Sequence, residues 1–283
     1  MKKLFLRGGL GNQLFQLAFV HRNSFEIEEK FELWMVDLQR PDLNFVLNPV
    51  VGNCKHIIEL STENALILSD FQGPNVVPYH QVQGNLLVES VEHLYEELDT
   101  SLYDGIFGHF ENSRYVDEAW ARFGNELLRG LEEIERLNSL PPDGEYIALH
   151  FRRGDFSQFH PTGLLDKGYY EEALSKIPEE DRRCLPIFGF TDDLERVQVL
   201  ASELGVKQLF GRESSTAWQA LKAISEAKHV VAANSTLSWW AAYIATRAGR
   251  KAYIPRPWFP DWSESIANCL EFEGAIIVQS DFE

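Results

Sequence analysis

Cysteine is scarce in this chain and shows no pattern. Cys54, Cys184 and Cys269 are far apart and odd in number. No disulfide framework or thiolate metal site follows from that spacing, and a reducing compartment is expected. Long apolar runs are also missing. None reaches the roughly 20 residues a bilayer-spanning helix needs. The opening Met1-Lys2-Lys3-Leu4-Phe5-Leu6-Arg7 holds too short an apolar stretch for a signal peptide. The expected location is cytoplasmic, with room for peripheral membrane association. Asp-x-Asp does not occur, and no histidine pair sits at ligand spacing, so no metal site is expected. Basic residues are outnumbered, 26 against 43 acidic, giving a formal charge of -17. Such a charge opposes adhesion to nucleic acid or an anionic membrane, so any anionic ligand needs a local basic site.

What is present fits two α/β domains in 283 residues. Leu4-Phe5-Leu6 reads as a first strand. The glycine-rich turn Arg7-Gly8-Gly9-Leu10-Gly11-Asn12-Gln13 follows, and then a helix over 14–22. Strand, glycine turn and helix make a phosphate- or nucleotide-loop arrangement. As a dinucleotide fingerprint it lacks its last small residue, because Leu14 stands where Gly or Ala belongs. A second strand over 31–36 ends at Asp37, where a ribose-binding acid belongs, and this keeps an NAD-dependent oxidoreductase as an alternative. Short strands are expected around 57–60, 66–68, 76–77, 86–88 and 105–110, and a helix over 116–138. Pro141-Pro142-Asp143-Gly144 is the best linker, which places one domain at 1–140 and the other at 145–283.

The second half alternates regularly. Strands are expected at 146–150, 185–190, 206–210, 229–233 and 251–255, and helices at 168–177, 193–204, 215–226 and 237–248. That alternation predicts a parallel sheet with helices on both faces, whose ligand lies at the carboxyl ends of the strands. Polar groups gather at those ends. After the first strand come His150, Arg152, Arg153 and Asp155. After the second come Thr191, Asp192 and Asp193, and after the fourth Asn234, Ser235, Thr236 and Ser238. Arginine keeps its charge, and its planar fork matches phosphate oxygens. A Ser/Thr-rich turn before a helix either caps that helix or offers its N–H groups to an anion. An ionised aspartate is acceptor-only, so Asp192 or Asp193 matches the two donors of guanine's Watson–Crick edge. Alternatively the pair caps the helix that starts at Leu194. Trp239 and Trp240 are expected in the core.

Three blocks carry a resemblance. They are Gly8-Gly9-Leu10-Gly11-Asn12-Gln13-Leu14-Phe15-Gln16, His150-x-Arg152-Arg153-Gly154-Asp155, and Asn234-Ser235-Thr236-Leu237-Ser238-Trp239-Trp240-Ala241-Ala242. Phe190-Thr191-Asp192-Asp193 and Pro257-Trp258-Phe259 are in keeping with them. On these residues the chain resembles the α-1,2-fucosyltransferases of glycosyltransferase family eleven. Phe156 and Leu17 stand where tyrosine is usual, and Leu237 where phenylalanine is frequent; the stretch 40–140 carries none of the blocks. The resemblance implies a GT-B-type fold, two Rossmann-like domains facing across a cleft. The N-terminal domain would take the acceptor and the C-terminal one the GDP-sugar. It implies inverting, metal-independent transfer of fucose from GDP-fucose to a glycan, with the 2-OH of a terminal galactose as acceptor and no cofactor beyond the donor substrate.

By that resemblance Arg152 serves the β-phosphate. Asn12 reaches the reacting sugar or the acceptor hydroxyl, and Asp155 either takes the acceptor proton or orients an arginine. His150, Arg153, Asp192, Asp193, Asn234, Ser235, Thr236, Ser238 and Gly11 belong to the donor site. Two further readings remain open: a transferase using another nucleotide sugar, and a non-catalytic glycan-binding protein suggested by Trp258, Trp262 and an aromatic content of 12%.

Overall fold

The computed structural model describes residues 2–6, 8–27, 31–35, 58–60, 86–88, 105–154, 161–260 and 268–283. The chain divides into two compact units, Met1–Glu133 and Ile134–Glu283.

In the first unit, strands β1 (Lys2–Leu6), β2 (Phe31–Met35), β3 (Ile58–Leu60), β4 (Leu86–Val88) and β5 (Gly105–Phe107) form a sheet in the order β3-β2-β1-β5-β4. Every pairing in it is parallel. Helix α1 (Leu10–Ile27) starts four residues before the expected Leu14. Only Gly8, at φ +76°, needs the left-handed region, and it makes the turn alone. The Gly9 carbonyl already accepts from Gln13 N at 3.1 Å, and Gly11 lies buried within the helix rather than in a loop. Helix α2 (Ser113–Glu132) buries Tyr115, Val116, Ala119, Phe123 and Leu127, an apolar face at helical spacing. Asn112 caps it by accepting from Arg114 N. It ends short of the expected residue 138. Glu132, Glu133 and Glu135 crowd negative charge where the helix dipole is already negative. The expected strands at 66–68 and 76–77 lie outside the described residues, as does Asp37.

The second unit carries β6 (Ile147–Phe151), β7 (Ile187–Thr191), β8 (Val206–Phe210), β9 (His229–Val231), β10 (Lys251–Arg256) and β11 (Ala275–Gln279). All pair in parallel, in the order β11-β10-β9-β6-β7-β8. Counted from β6 this is 3-2-1-4-5-6, the order of dinucleotide-binding folds, with its topological switch point between β6 and β9. Helices α3 (Lys167–Ser175), α5 (Leu194–Glu203), α6 (Ala217–Glu226) and α7 (Thr236–Arg247) fall within one or two residues of expectation. Strand β11 and the short helix α4 (Glu179–Cys184) were not expected. On one face of β6, Ile147, Leu149 and Phe151 pack with Tyr169, Tyr170, Val197 and Ala201 of α3 and α5. Tyr146 and His150 have the opposite parity, and the Tyr146 hydroxyl donates to Ala223 O of α6. Helices therefore cover both faces.

The Pro141–Gly144 segment is not a free linker. Arg136 donates to the carbonyls of Pro141 and Pro142 and pairs with Glu226 at 2.9 Å. The unit boundary falls before it, after Glu133. Gly144 has φ +75°, and a Cβ there would stand 2.3 Å from Glu226 O. Gly144→Ala should therefore destabilise the protein by about 2 kcal/mol, read as a lower urea midpoint with an unchanged slope.

Candidate active site

Parallel pairing brings three strand ends side by side. β7 and β9 flank β6, with Phe151 opposite Thr191 and Leu149 opposite Val231. Beyond them lie Arg152-Arg153-Gly154, Asp192 and Ala232-Ala233-Asn234-Ser235. Because β6 and β9 border the switch point, their following loops diverge to opposite sides of the sheet and leave a crevice.

Asp192 organises this edge. Its Oδ1 accepts from the backbone N–H of Arg153 at 2.8 Å and of Gly154 at 3.0 Å. Its Oδ2 takes the Arg152 guanidinium through Nη1, and Arg212 Nη2 lies 3.7 Å away. Burial opposes ionisation of Asp192. The Arg152 charge and the two N–H donors outweigh that penalty, so its carboxyl stays below the usual carboxylate range. Gly154 is required here, because a Cβ would meet Asp192 Oδ2 at 2.7 Å. Asp193 takes the capping role. Its Oδ1 accepts from Arg196 N at 3.1 Å, and its Oδ2 pairs with Arg196 Nε at 3.2 Å. The two aspartates weighed as guanine readers are thus engaged inside the protein, one clamping the arginine turn and the other starting α5.

His150 is 4% exposed, and its Nδ1 has no hydrogen-bond partner among the described residues. Burial pushes the imidazole down to about 4, against the pull of Asp192 and with the help of Arg152, so the ring is neutral near pH 7. A neutral buried ring beside the Arg152–Asp192 pair offers a ligand one nitrogen without adding charge.

Several of the remaining predicted residues turn inward. Arg153 is buried, donates to Leu165 O at 2.6 Å and pairs with Glu283 at 2.8 Å. Asn234 Nδ2 donates to Gly163 O at 2.7 Å and Trp258 O at 3.0 Å, which ties three loops together. Ser238 is fully buried, and its Oγ accepts from Ala233 N at 2.8 Å. Ser235 stands at the N-cap of α7 with extended backbone but makes no side-chain cap bond, and Thr236 opens the helix. Trp239 and Trp240 are core residues. Gly11 and Asn12 lie in the first unit, on the first turn of α1. Asp155 and Trp262 lie outside the described residues.

Sequence reasoning passed over Arg212. It follows β8 just as Asp192 follows β7, so the same strand-end rule would have found it. It also gave no role to Gln13 and Gln16, which are buried and donate to Gly8 O and Gly108 O at 2.9 Å each.

If Asp192 is the clamp, Asp192→Asn should cost about 3 kcal/mol near neutral pH, by breaking a buried ion pair. The folded carboxyl titrates below its ordinary 3.8. Its contribution is therefore complete above that value and lost as pH falls through the lower folded one. Denaturation of both proteins across that window should show the difference shrinking in acid.

The family model for glycosyl transferase family 11 matches residues 115–261, a stretch that contains this whole edge. An alpha-1,2-colitosyltransferase of Escherichia coli is 24% identical over 268 residues, covering 90% of this chain and 91% of its own. The O-antigen biosynthesis glycosyltransferase WbnK of E. coli is also 24% identical, over 90% of this chain and 93% of its own. A galactoside 2-alpha-L-fucosyltransferase from Bos taurus, SEC1, is 30% identical over 45% of this chain and 34% of its own. Among solved structures, E. coli heptosyltransferase WaaC with ADP aligns at TM-score 0.48 and 12% identity, over 99% of this chain and 93% of that one. No helix among the described residues is long and apolar enough to cross a membrane. The family model spans just over half of the sequence, and the chain belongs to glycosyl transferase family 11.

Proposed function

We propose that this protein transfers fucose from GDP-fucose to a glycan hydroxyl, the 2-OH of a terminal galactose, with inversion and without a metal cofactor. The observation that carries the reading is Arg152, fixed at the switch point of a dinucleotide-type sheet by Asp192. Breaking the sugar–phosphate bond leaves negative charge on the departing nucleotide diphosphate. A cation whose plane is already set stabilises that charge without reorganising in the transition state. Pairing with Asp192 sets the Arg152 plane, Arg212 adds a second guanidinium close by, and the N-terminal turn of α7 adds its dipole. On this reading the arginines do the work that a metal ion would otherwise do. His150 lines the donor pocket as a neutral hydrogen-bonding group.

Fucose is favoured by the sequence blocks and by the relative named as a galactoside fucosyltransferase. A different sugar on the same nucleotide is the second reading, favoured by the relative named for colitosyl transfer. A surface-polysaccharide acceptor used on the cytoplasmic side fits the relative named for O-antigen biosynthesis.

Calorimetry against GDP, UDP and NAD, each with EDTA present, should show selective binding of GDP; preference for UDP or NAD would overturn the donor assignment. Arg152→Ala should keep the fold and lose about 10²–10³ in kcat, the scale of removing one oxyanion-type donor. Turnover by that variant close to the parent's would refute its role. Activity on GDP-fucose should be unchanged by EDTA.

A further inference from the structure

Arg153 follows the arginine assigned to the phosphate, and it carries a buried charge. Its backbone N–H is part of the Asp192 clamp, so the place of its side chain bears on where Arg152 stands. The guanidinium has few contacts. Nη2 donates to Leu165 O at 2.6 Å and pairs with Glu283 Oε1 at 2.8 Å. Nη1 is buried with no hydrogen-bond partner among the described residues. Among those residues Glu283 is also the one carboxylate paired with Arg153. A buried cation that loses its counter-charge is held at a large cost and tends to move. Here it has room to do so, because a cavity of about 390 Å³ lies against the pair, with Leu164 and Leu200 in its wall.

The Glu283 side chain is 51% exposed against 5% for Arg153, so packing does not fix it. Backbone pairing does. β11 ends with Gln279 beside Arg256 of β10. Beyond it, Ser280 N donates to Arg256 O at 2.9 Å, and Asp281 O accepts from Asp166 N at 3.0 Å. Phe282 bridges Leu165 in antiparallel sense, and Glu283 N donates to Leu164 O at 2.9 Å. Residues 281–283 therefore run as a strap along 164–166, just before α3. The neighbouring Gly163 carbonyl is held by Asn234, from the turn that precedes α7. Hydrogen bonds of the main chain thus deliver one carboxylate to one buried arginine.

We infer that Glu283 is a positioning residue for the donor diphosphate, an inference that rests on the function proposed above. It acts through Arg153. The Glu283 carboxylate holds the Arg153 guanidinium, the Arg153 backbone N–H holds one oxygen of Asp192, and the other oxygen of Asp192 holds Arg152. All four residues lie in the second unit. Glu283 itself touches no substrate. It keeps the Arg152 plane set before the ligand arrives, and a preset cation is what stabilises phosphate charge without reorganising.

Calorimetry of GDP binding to the full chain, with EDTA present, tests this. Glu283→Ala keeps the backbone bond to Leu164 and should weaken GDP binding about tenfold, less than the roughly 10²-fold that a 1 Å misplacement can cost. Glu283→Gln keeps an acceptor for Arg153 without the charge and should recover part of that loss. Added to Arg152→Ala, Glu283→Ala should change GDP affinity less than about twofold, because residues acting through one contact are not additive. An equal loss in both backgrounds would overturn the assignment, by making Glu283 a residue of the fold alone. GDP binding by Glu283→Ala within about twofold of the parent would overturn it too. A parent that binds no GDP would defeat the function reading instead, so the two failures are distinguishable.

Discussion

One buried carboxylate sets the geometry of the C-terminal unit's ligand edge. Asp192 joins the end of β7 to the turn leaving β6 by accepting from two backbone N–H groups and from the Arg152 guanidinium. Removing a carboxylate from water is expensive, and a lone buried ion would neutralise rather than stay charged. Three donors on one group compensate here, and the charge persists. The consequence reaches the ligand. In a chain carrying -17 overall, an anion is held only where cations are fixed locally, and Asp192 fixes one. The same carboxylate explains Gly154, the residue whose missing side chain lets the turn close on it.

Around this clamp, polar residues divide between presenting chemistry and holding the loops that present it. Asn234, Ser238 and Arg153 belong to the second group. Each follows a strand end, where residue type alone predicts a ligand contact, and each is buried with backbone partners. Loops that converge on a crevice carry carbonyls and N–H groups no ladder satisfies, so buried side chains must do it. Asn234 alone bridges the loops at Gly163 and Trp258. The N-terminal unit uses the same device, with Gln13 and Gln16 of α1 holding the glycine carbonyls that follow β1 and β5.

The sequence was most informative where periodicity and strand-end chemistry coincide. The helices at 167–175, 194–203 and 217–226 and the strands before them follow from amphipathic alternation and capping residues. β11 escaped because Ala275-Ile276-Ile277-Val278 is a short apolar run with no helix after it in the described chain. The early start of α1 escaped because its glycines read as loop, although only Gly8 needed to turn. Which strand-end residue faces a ligand was not legible, because sequence spacing gives the face of a strand but not the partner across the sheet.

The amino-acid sequence by itself determined the alternation of elements, the local basic site in an acidic chain and the family blocks, because these depend on residue type and near-neighbour spacing. Tertiary structure alone decided that β6 lies between β7 and β9, since pairing order joins segments tens of residues apart. That placement put Asp192 under Arg152, turned Arg153 away into the fold and left His150 buried and neutral. It also placed the end of β5 beside the glycine turn after β1.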